Sequence, residues 1–256
     1  MADDTGADDV RRWVGAEPAH PSDQPDLAGQ LQRLCRAVAR ALPATGVGVC
    51  LMSPAGAHVT AAASDDASAV LEDLQLTLGE GPCLDAYAAG RPVLEPDLAA
   101  ATPGRWLGYG PAALEQGVRA VFAFPLMAGT SALGAIDVYQ DRVGPLSTEA
   151  VDRAVGFAAL ASTDLLAAQQ HVGDDGVAEE PDVLDSGYMI YQAQGMVMVH
   201  LGTDLDDAMS RLRAYAFATG HPLSTVAEGI VTRRLVLEAD SPDDGTAAAD
   251  DDGRSL

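Results

Sequence analysis

An α+β sheet domain followed by a small all-helical unit is the fold class this sequence predicts, and two observations carry it. Residues 27–170 open and close with apolar residues at helical spacing and hold two pairs of short apolar runs joined by turn residues between them; residues 186–238 carry helical spacing alone. Leu27, Leu31, Leu34, Cys35, Val38 and Leu42 share one helical face, which Pro43 ends. Residues 46–52 and 57–63 read as a hairpin, and residues 67–76 as a helix leading into a glycine-punctuated loop and a short helix over 78–90. A short strand at 91–97 and two long apolar strands at 118–127 and 131–140 follow, then a helix over 148–170 capped by Ser147 with Glu149 in its first turn. This order predicts an antiparallel sheet with helices on one face.

In the second segment, Ile190, Ala193, Val197 and Leu201 form one helical face that Gly202 ends. Thr203 and Asp206 suggest a capping box for a second helix bearing Leu205, Ala208, Met209, Leu212, Tyr215 and Ala216, which stops at Gly220. Ser224 is the expected cap of a third helix with Val226, Ala227, Ile230, Val231 and Leu235 inward. The remaining stretches, 1–26, 171–185 and 239–256, are acidic and without periodicity, and are expected to be an unstructured N-terminus, a linker and a tail.

The chain has 256 residues and a formal net charge of −23, and all 15 basic residues are Arg, with no Lys and no Asn. Lacking Lys, it has no P-loop lysine, no pyridoxal Schiff base and no aldolase-type imine. The charge disfavours a bulk electrostatic grip on nucleic acid or an anionic membrane, so a polyanion has to meet a local Arg cluster. Cys35, Cys50 and Cys83 match no C-x-x-C or zinc-ribbon spacing and read as reduced thiols. The acidic N-terminus has no secretory pattern, and the longest uncharged apolar run, 120–136, is broken by Pro125 and Gly129. A cytoplasmic protein with no membrane span is expected.

Three stretches, LGEGPCLDAYAAGRPVLEPDL (78–98), GVRAVFAFPL (117–126) and LGAIDVYQDRVGPLS (133–147), make residues 27–170 resemble the GAF domain, a ligand-sensing module with an antiparallel sheet. The resemblance implies a small-molecule or protein signal, unidentified, and terminal helices that pair in a dimer. The cyclic-nucleotide version of that domain includes Asn and Lys in its signature, and neither is present. Residues 191–231, YQAQGMVMVHLGTDLDDAMSRLRAYAFATGHPLSTVAEGIV, resemble the ANTAR domain, the RNA-binding output of transcription antitermination regulators. A GAF domain feeding an ANTAR domain is similar to regulators of actinobacterial type. Such regulators bind paired hairpins in leader transcripts as homodimers and favour an antiterminator over the competing terminator. Gln194 departs from the family, which often has a basic residue there.

The candidate RNA contacts are Tyr191, Gln192, Gln194, Arg211, Arg213, Tyr215, Arg233 and Arg234: aromatic rings and guanidinium planes stack on splayed bases, and glutamines read base edges. Arg213 and Tyr215 are expected to matter more than Arg233 and Arg234. In the first segment, Cys83, Trp106 and Tyr109 are candidate ligand contacts, while His58, a lone strand histidine, reads as structural. Cys83 opens a predicted helix, where a dipole favours a thiolate, and Glu80 nearby opposes one. No cofactor, metal or catalytic residue is implied. Two alternatives stand beside this reading: a redox enzyme or sensor of the methionine sulfoxide reductase type using Cys83, and a helix-turn-helix regulator that binds DNA. Against the latter, residues 183–238 hold four Arg against six acidic residues, too few positive charges for a major-groove face.

Overall fold

Alternation along three long strands decides the architecture. In β1 (Gly46–Met52) every position is buried, and β4 (Ala120–Ala128) and β5 (Ser131–Gln140) are buried over most of their length, so both faces of the sheet are covered. A computed structural model describes residues 4–20, 26–52, 58–101, 104–174 and 182–238. The five strands are ordered β2-β1-β5-β4-β3, with β2 at His58–Ala63 and β3 at Val93–Glu95, and all pairings are antiparallel.

On one face Val47, Val49, Leu51, Phe122, Phe124, Ile136 and Val138 pack against α2 (Leu27–Ala41) and α6 (Thr148–Asp174). On the other, Cys50, Met52, Val121, Ala135 and Tyr139 pack against α3 (Asp66–Leu78), α4 (Pro82–Ala89) and α5 (Tyr109–Glu115). Helices on one face only was the expectation. The second layer forms because α3 and α4, both expected as helices, cover this face together with α5, whose seven residues have too few turns to show periodicity.

The N-terminal segment is a second correction. Residues Asp4–Ala16 form helix α1 against α2 and α6, with Val10 only 3% exposed. Val10 and Val14 supply an apolar stripe, and Arg33 donates to the Gly15 and Glu17 carbonyls at 3.2 and 2.7 Å. The Glu17 carboxylate, itself buried, pairs with Arg36 and Arg40. Acidic composition hid a helix whose stripe is only two residues long. The expected linker 171–185 also shortens, since α6 runs to Asp174 and α7 begins at Asp182; residues 175–181 and the acidic tail 239–256 lie outside the described residues.

The C-terminal unit is α7 (Asp182–Leu201), α8 (Leu205–Thr219) and α9 (Leu223–Val231). Ala193, Ala208, Ala216 and Ala227 are almost wholly buried beside Ile190, Val197, Leu212, Val226 and Ile230, so small side chains let the helices approach closely. Gly202 and Gly220 terminate α7 and α8 in the left-handed region, at φ 67° and 65°. The caps differ from expectation by one residue at α8 and two at α9. Asp204, not Thr203, accepts from the Asp207 backbone N–H at 2.8 Å, and Pro222 rather than Ser224 precedes α9.

Candidate functional site

Two regions carry polar chemistry, and the first is built where the sheet meets α3, α4 and α5. Strand alternation points Cys50 of β1 and Asp137 and Tyr139 of β5 to this face, and α3 places Glu72 and Gln75, one turn apart, directly opposite. The Tyr139 hydroxyl donates to Glu72 Oε1 at 2.6 Å, and the Gln75 amide donates to Asp137 Oδ2 at 2.5 Å. Gln75 Oε1 accepts from the Cys83 backbone N–H at 2.9 Å, tying the start of α4 to the cluster.

Two glycines make the room. A Cβ at Gly48 would lie 2.0 Å from Glu72 Oε1, and one at Gly81, whose φ is +147°, would lie 2.3 Å from Gln75 Oε1. The cluster also contains acceptors without partners: Glu72 Oε2, Asp137 Oδ1 and the Tyr109 hydroxyl. Burial raises the Glu72 carboxyl well above its ordinary range, reinforced by Asp137, and burial raises Asp137 to about 7.

Of the residues singled out from sequence, Cys83, Trp106 and Tyr109 all come to this face and all are buried. Trp106 and Tyr109 meet edge to face with centroids 6.1 Å apart, and the Arg105 guanidinium lies 4.0 Å over the indole. A low-pKa Cys83 thiolate is overturned, because burial pushes the thiol up and Cys50, Asp137 and Glu72 add to the effect. Glu80 plays no part in that, since its carboxylate instead caps α5 by accepting from the Gly108 and Tyr109 N–H groups at 2.5 and 2.9 Å. Sequence reasoning missed Cys50, Glu72, Gln75, Asp137 and Tyr139. The available signal was Asp137 inside the apolar strand AIDVYQ, a charge where burial on both faces leaves it no solvent.

The second region is the surface of the C-terminal unit, and its candidates separate into three groups. Arg211 and Tyr215, one turn apart on α8, line an open groove with Ser210, Ala214, Ala218 and the 235–238 segment. Arg211 also pairs with Asp207 at 3.5 Å. Gln192 is exposed and Tyr191 half-buried on α7, while Arg233 and Arg234 are exposed past the end of α9, Arg233 in the left-handed region and Arg234 paired with Glu228.

Gln194 and Arg213 are corrections. Gln194 is 9% exposed and donates from Nε2 to the Leu205 carbonyl at 2.8 Å, so it braces α7 against α8 instead of facing outward. Arg213, about 200° around α8 from both Arg211 and Tyr215, turns toward the sheet domain. Its Nη1 lies 2.5 Å from where a Cβ at Gly79 would stand, so it covers the C-terminal end of α3, whose dipole favours a cation. There its Nε is buried without a partner and burial lowers its pKa. Beside it His58 is held neutral, its pKa lowered to about 4 by burial and by the Arg213 charge. The same seam continues as a cleft lined by Val59, Thr60, Asp73 and Leu76 on one side and Ile190, Leu223 and Ser224 on the other.

Comparison with known proteins assigns both units. The family model described as GAF domain matches residues 24–163, and that described as ANTAR domain matches residues 182–231. A search of curated proteins returned no match. Among solved structures, the chain is similar to the GAF domain of a phosphoenolpyruvate-protein phosphotransferase from Coxiella burnetii, at 18% identity and TM-score 0.51, over 66% of this chain and 95% of that one. It is also similar to the GAF domain from the Acinetobacter phosphoenolpyruvate-protein phosphotransferase, at 16% identity and TM-score 0.51, over 68% and 99%. A free methionine-R-sulfoxide reductase from Neisseria meningitidis, in complex with its substrate, aligns at 18% identity and TM-score 0.49, over 67% and 96%. With a GAF model covering more than half of its length and an ANTAR model covering the three helices that follow, the chain belongs to the GAF domain family and is a GAF and ANTAR domain-containing regulator.

Proposed function

We propose that this chain is an RNA-binding transcription antitermination regulator, in which the GAF domain takes up a signal and thereby controls binding of the ANTAR domain to hairpins in leader transcripts. The observation that carries the reading is the ANTAR match over α7–α9 together with a solvent-open groove on α8 in which Arg211 and Tyr215 stand one turn apart. A half-buried aromatic beside a guanidinium offers an unpaired base a stacking platform and its phosphate a charge. Control is read from the seam. Arg213, His58 and the Ile190–Leu223 cleft hold α7–α9 against α3 and β2, and a signal that moves α3 changes how that hold competes with RNA. The working unit in this reading is a cytoplasmic homodimer, because two tethered modules gain effective concentration on paired hairpins.

The test is a mobility-shift titration of the full chain with a two-hairpin RNA and with duplex DNA of equal length, across a salt series. Preference for the RNA that persists at 0.2 M salt is the expected outcome. Equal, salt-erased binding to both sinks the reading and favours nonspecific contact, and preference for the duplex favours the helix-turn-helix alternative.

A further inference from the structure

The buried cluster behind the sheet holds more ligating atoms than its hydrogen bonds use. The Sγ atoms of Cys50 and Cys83 and a carboxylate oxygen of Glu72 lie within 4.8 Å of one another, all fully buried. Each comes from a different element, β1, α4 and α3, and none is adjacent to another in sequence. From this geometry we infer a metal site: Cys50, Cys83 and Glu72 bind a thiophilic divalent cation of the zinc class, with a fourth position left for water or an exogenous ligand.

Three observations converge on it. First, a buried acceptor left unpaired is costly, yet Glu72 Oε2 has no partner. A cation bound there supplies what that oxygen lacks. Second, the space is built: Gly48 and Gly81 are the residues whose missing side chains admit Glu72 and Gln75, so an ordinary apolar packing of this face would need neither. Third, the surrounding hydrogen bonds orient the ligands as outer partners of metal sites do. Tyr139 fixes Glu72 through Oε1 and leaves Oε2 over, while Gln75 holds the backbone of Cys83 and braces Asp137.

The choice of cation follows from the donors. Two sulfurs exclude magnesium and calcium, which take oxygen, and select zinc, cobalt or ferrous iron. Tetrahedral zinc with two thiolates and a carboxylate places its ligand atoms roughly 3.5 to 3.8 Å apart, which side-chain rotation reaches from the separations present. Binding M²⁺ sends the two thiol protons, and the Glu72 carboxyl proton where it is present, to solvent; no electron is transferred. With three protein ligands the site is open in the manner of sites that exchange a ligand, not closed like a structural zinc knot.

The proposal supplies an input for the sensor read above and rests on that reading only for its biological use, because its test contains no RNA. The full chain, produced in cobalt-supplemented medium and purified under reducing conditions, is expected to carry about one Co²⁺ with a thiolate-to-cobalt charge-transfer band and tetrahedral visible bands, bleached by Zn²⁺. Cys50→Ser, Cys83→Ser and Glu72→Gln each abolish or shift that spectrum. Cys35→Ser, in the core on the opposite face of the sheet, leaves it unchanged. Gln75→Ala weakens cobalt affinity about tenfold, as loss of an outer partner does. Circular dichroism of each variant confirms folding, and the Cys35 and Gln75 variants keep the test informative if a ligand variant fails to fold. A folded, reduced wild-type chain without the charge-transfer band overturns the site, as does a band indifferent to both cysteine substitutions. A Cys50–Cys83 disulfide under oxidant with no metal bound under reductant also overturns it, and assigns the pair to thiol chemistry.

Discussion

Arg213 shows how two residues of spacing decide a role. Arg213 stands two residues from both Arg211 and Tyr215, a helix turns about 100° per residue, and the structure sends Arg213 to Gly79 while Arg211 and Tyr215 stay in the open groove. Because Arg213 lies at the seam, Tyr215 is proposed to lead among the RNA contacts in place of Arg213. Hairpin affinity at fixed salt is expected to fall about tenfold for Tyr215→Ala and to hold for Tyr215→Phe, as stacking energies imply. For Arg213→Ala it is expected to rise, since the substitution loosens the seam without touching the groove. A tenfold loss with Arg213→Ala in a folded protein places the RNA on the wrong face. His58 adds a pH dependence with a definite sign. Its pKa in the docked arrangement is about 4 against an ordinary 6.5, so the docked form binds fewer protons than the released one and is favoured above that range. Docking is expected to weaken as pH falls from about 6.5 toward 4, read as rising amide exchange along β2 and α8, and His58→Gln is expected to flatten the profile.

At the scale of elements, the long periodic helices and the two apolar hairpins were legible because each satisfies its period over many residues. The strands at 46–52 and 131–140 match expectation to within a residue or two, as does α2. What escaped was short or locally ambiguous. In α5 the seven residues complete barely two turns, and the stripe of α1 is carried by Val10 and Val14 within an acidic stretch. The buried cluster escaped for a different reason: Cys50, Glu72, Cys83 and Asp137 are distant in sequence, and only the sheet register and the packing of α3 and α4 join them. Helix α1 is expected to be integral to the fold. Val10→Ala, at a site where Val10 touches Gly156 of α6, is expected to cost about 2 kcal/mol in urea unfolding. The outer side of α6 is partly covered by α1, but Val155 and Leu166 remain 47% and 37% exposed. This remnant is the proposed dimer seam. Light scattering is expected to give a dimer for the native chain and a monomer for Val155→Asp, with unchanged circular dichroism; a native monomer at micromolar concentration removes the dimer from the functional reading.

For the whole molecule, charge and layout are complementary. Nearly all the acidic excess lies outside the ANTAR unit, which at four Arg against six acidic residues over 183–238 is the mildest of the longer segments. A protein of net charge −23 repels RNA at a distance, so the proposed recognition depends on a few ordered contacts at close range and not on a diffuse field. That is the regime in which the placement of one aromatic ring matters. Both domain identities were legible in the sequence because their motifs are contiguous; the seam between the domains was not, since it is made by the end of α3 and the start of β2 meeting α8, α7 and α9.

Helix α3 belongs to both regions at once. Glu72 and Gln75 face the buried cluster, and seven and four residues further on Gly79 ends the helix beneath Arg213. In the proposed function, a rigid rod of thirteen residues with one side in each place makes the two sites partners in a thermodynamic cycle. Whatever factor a ligand in the cluster imposes on RNA affinity, RNA must impose on the affinity for that ligand. On the proposed reading the transcript is not only the target of the sensor but one of its effectors, and a cell rich in target hairpins would shift the ligand concentration at which the protein responds.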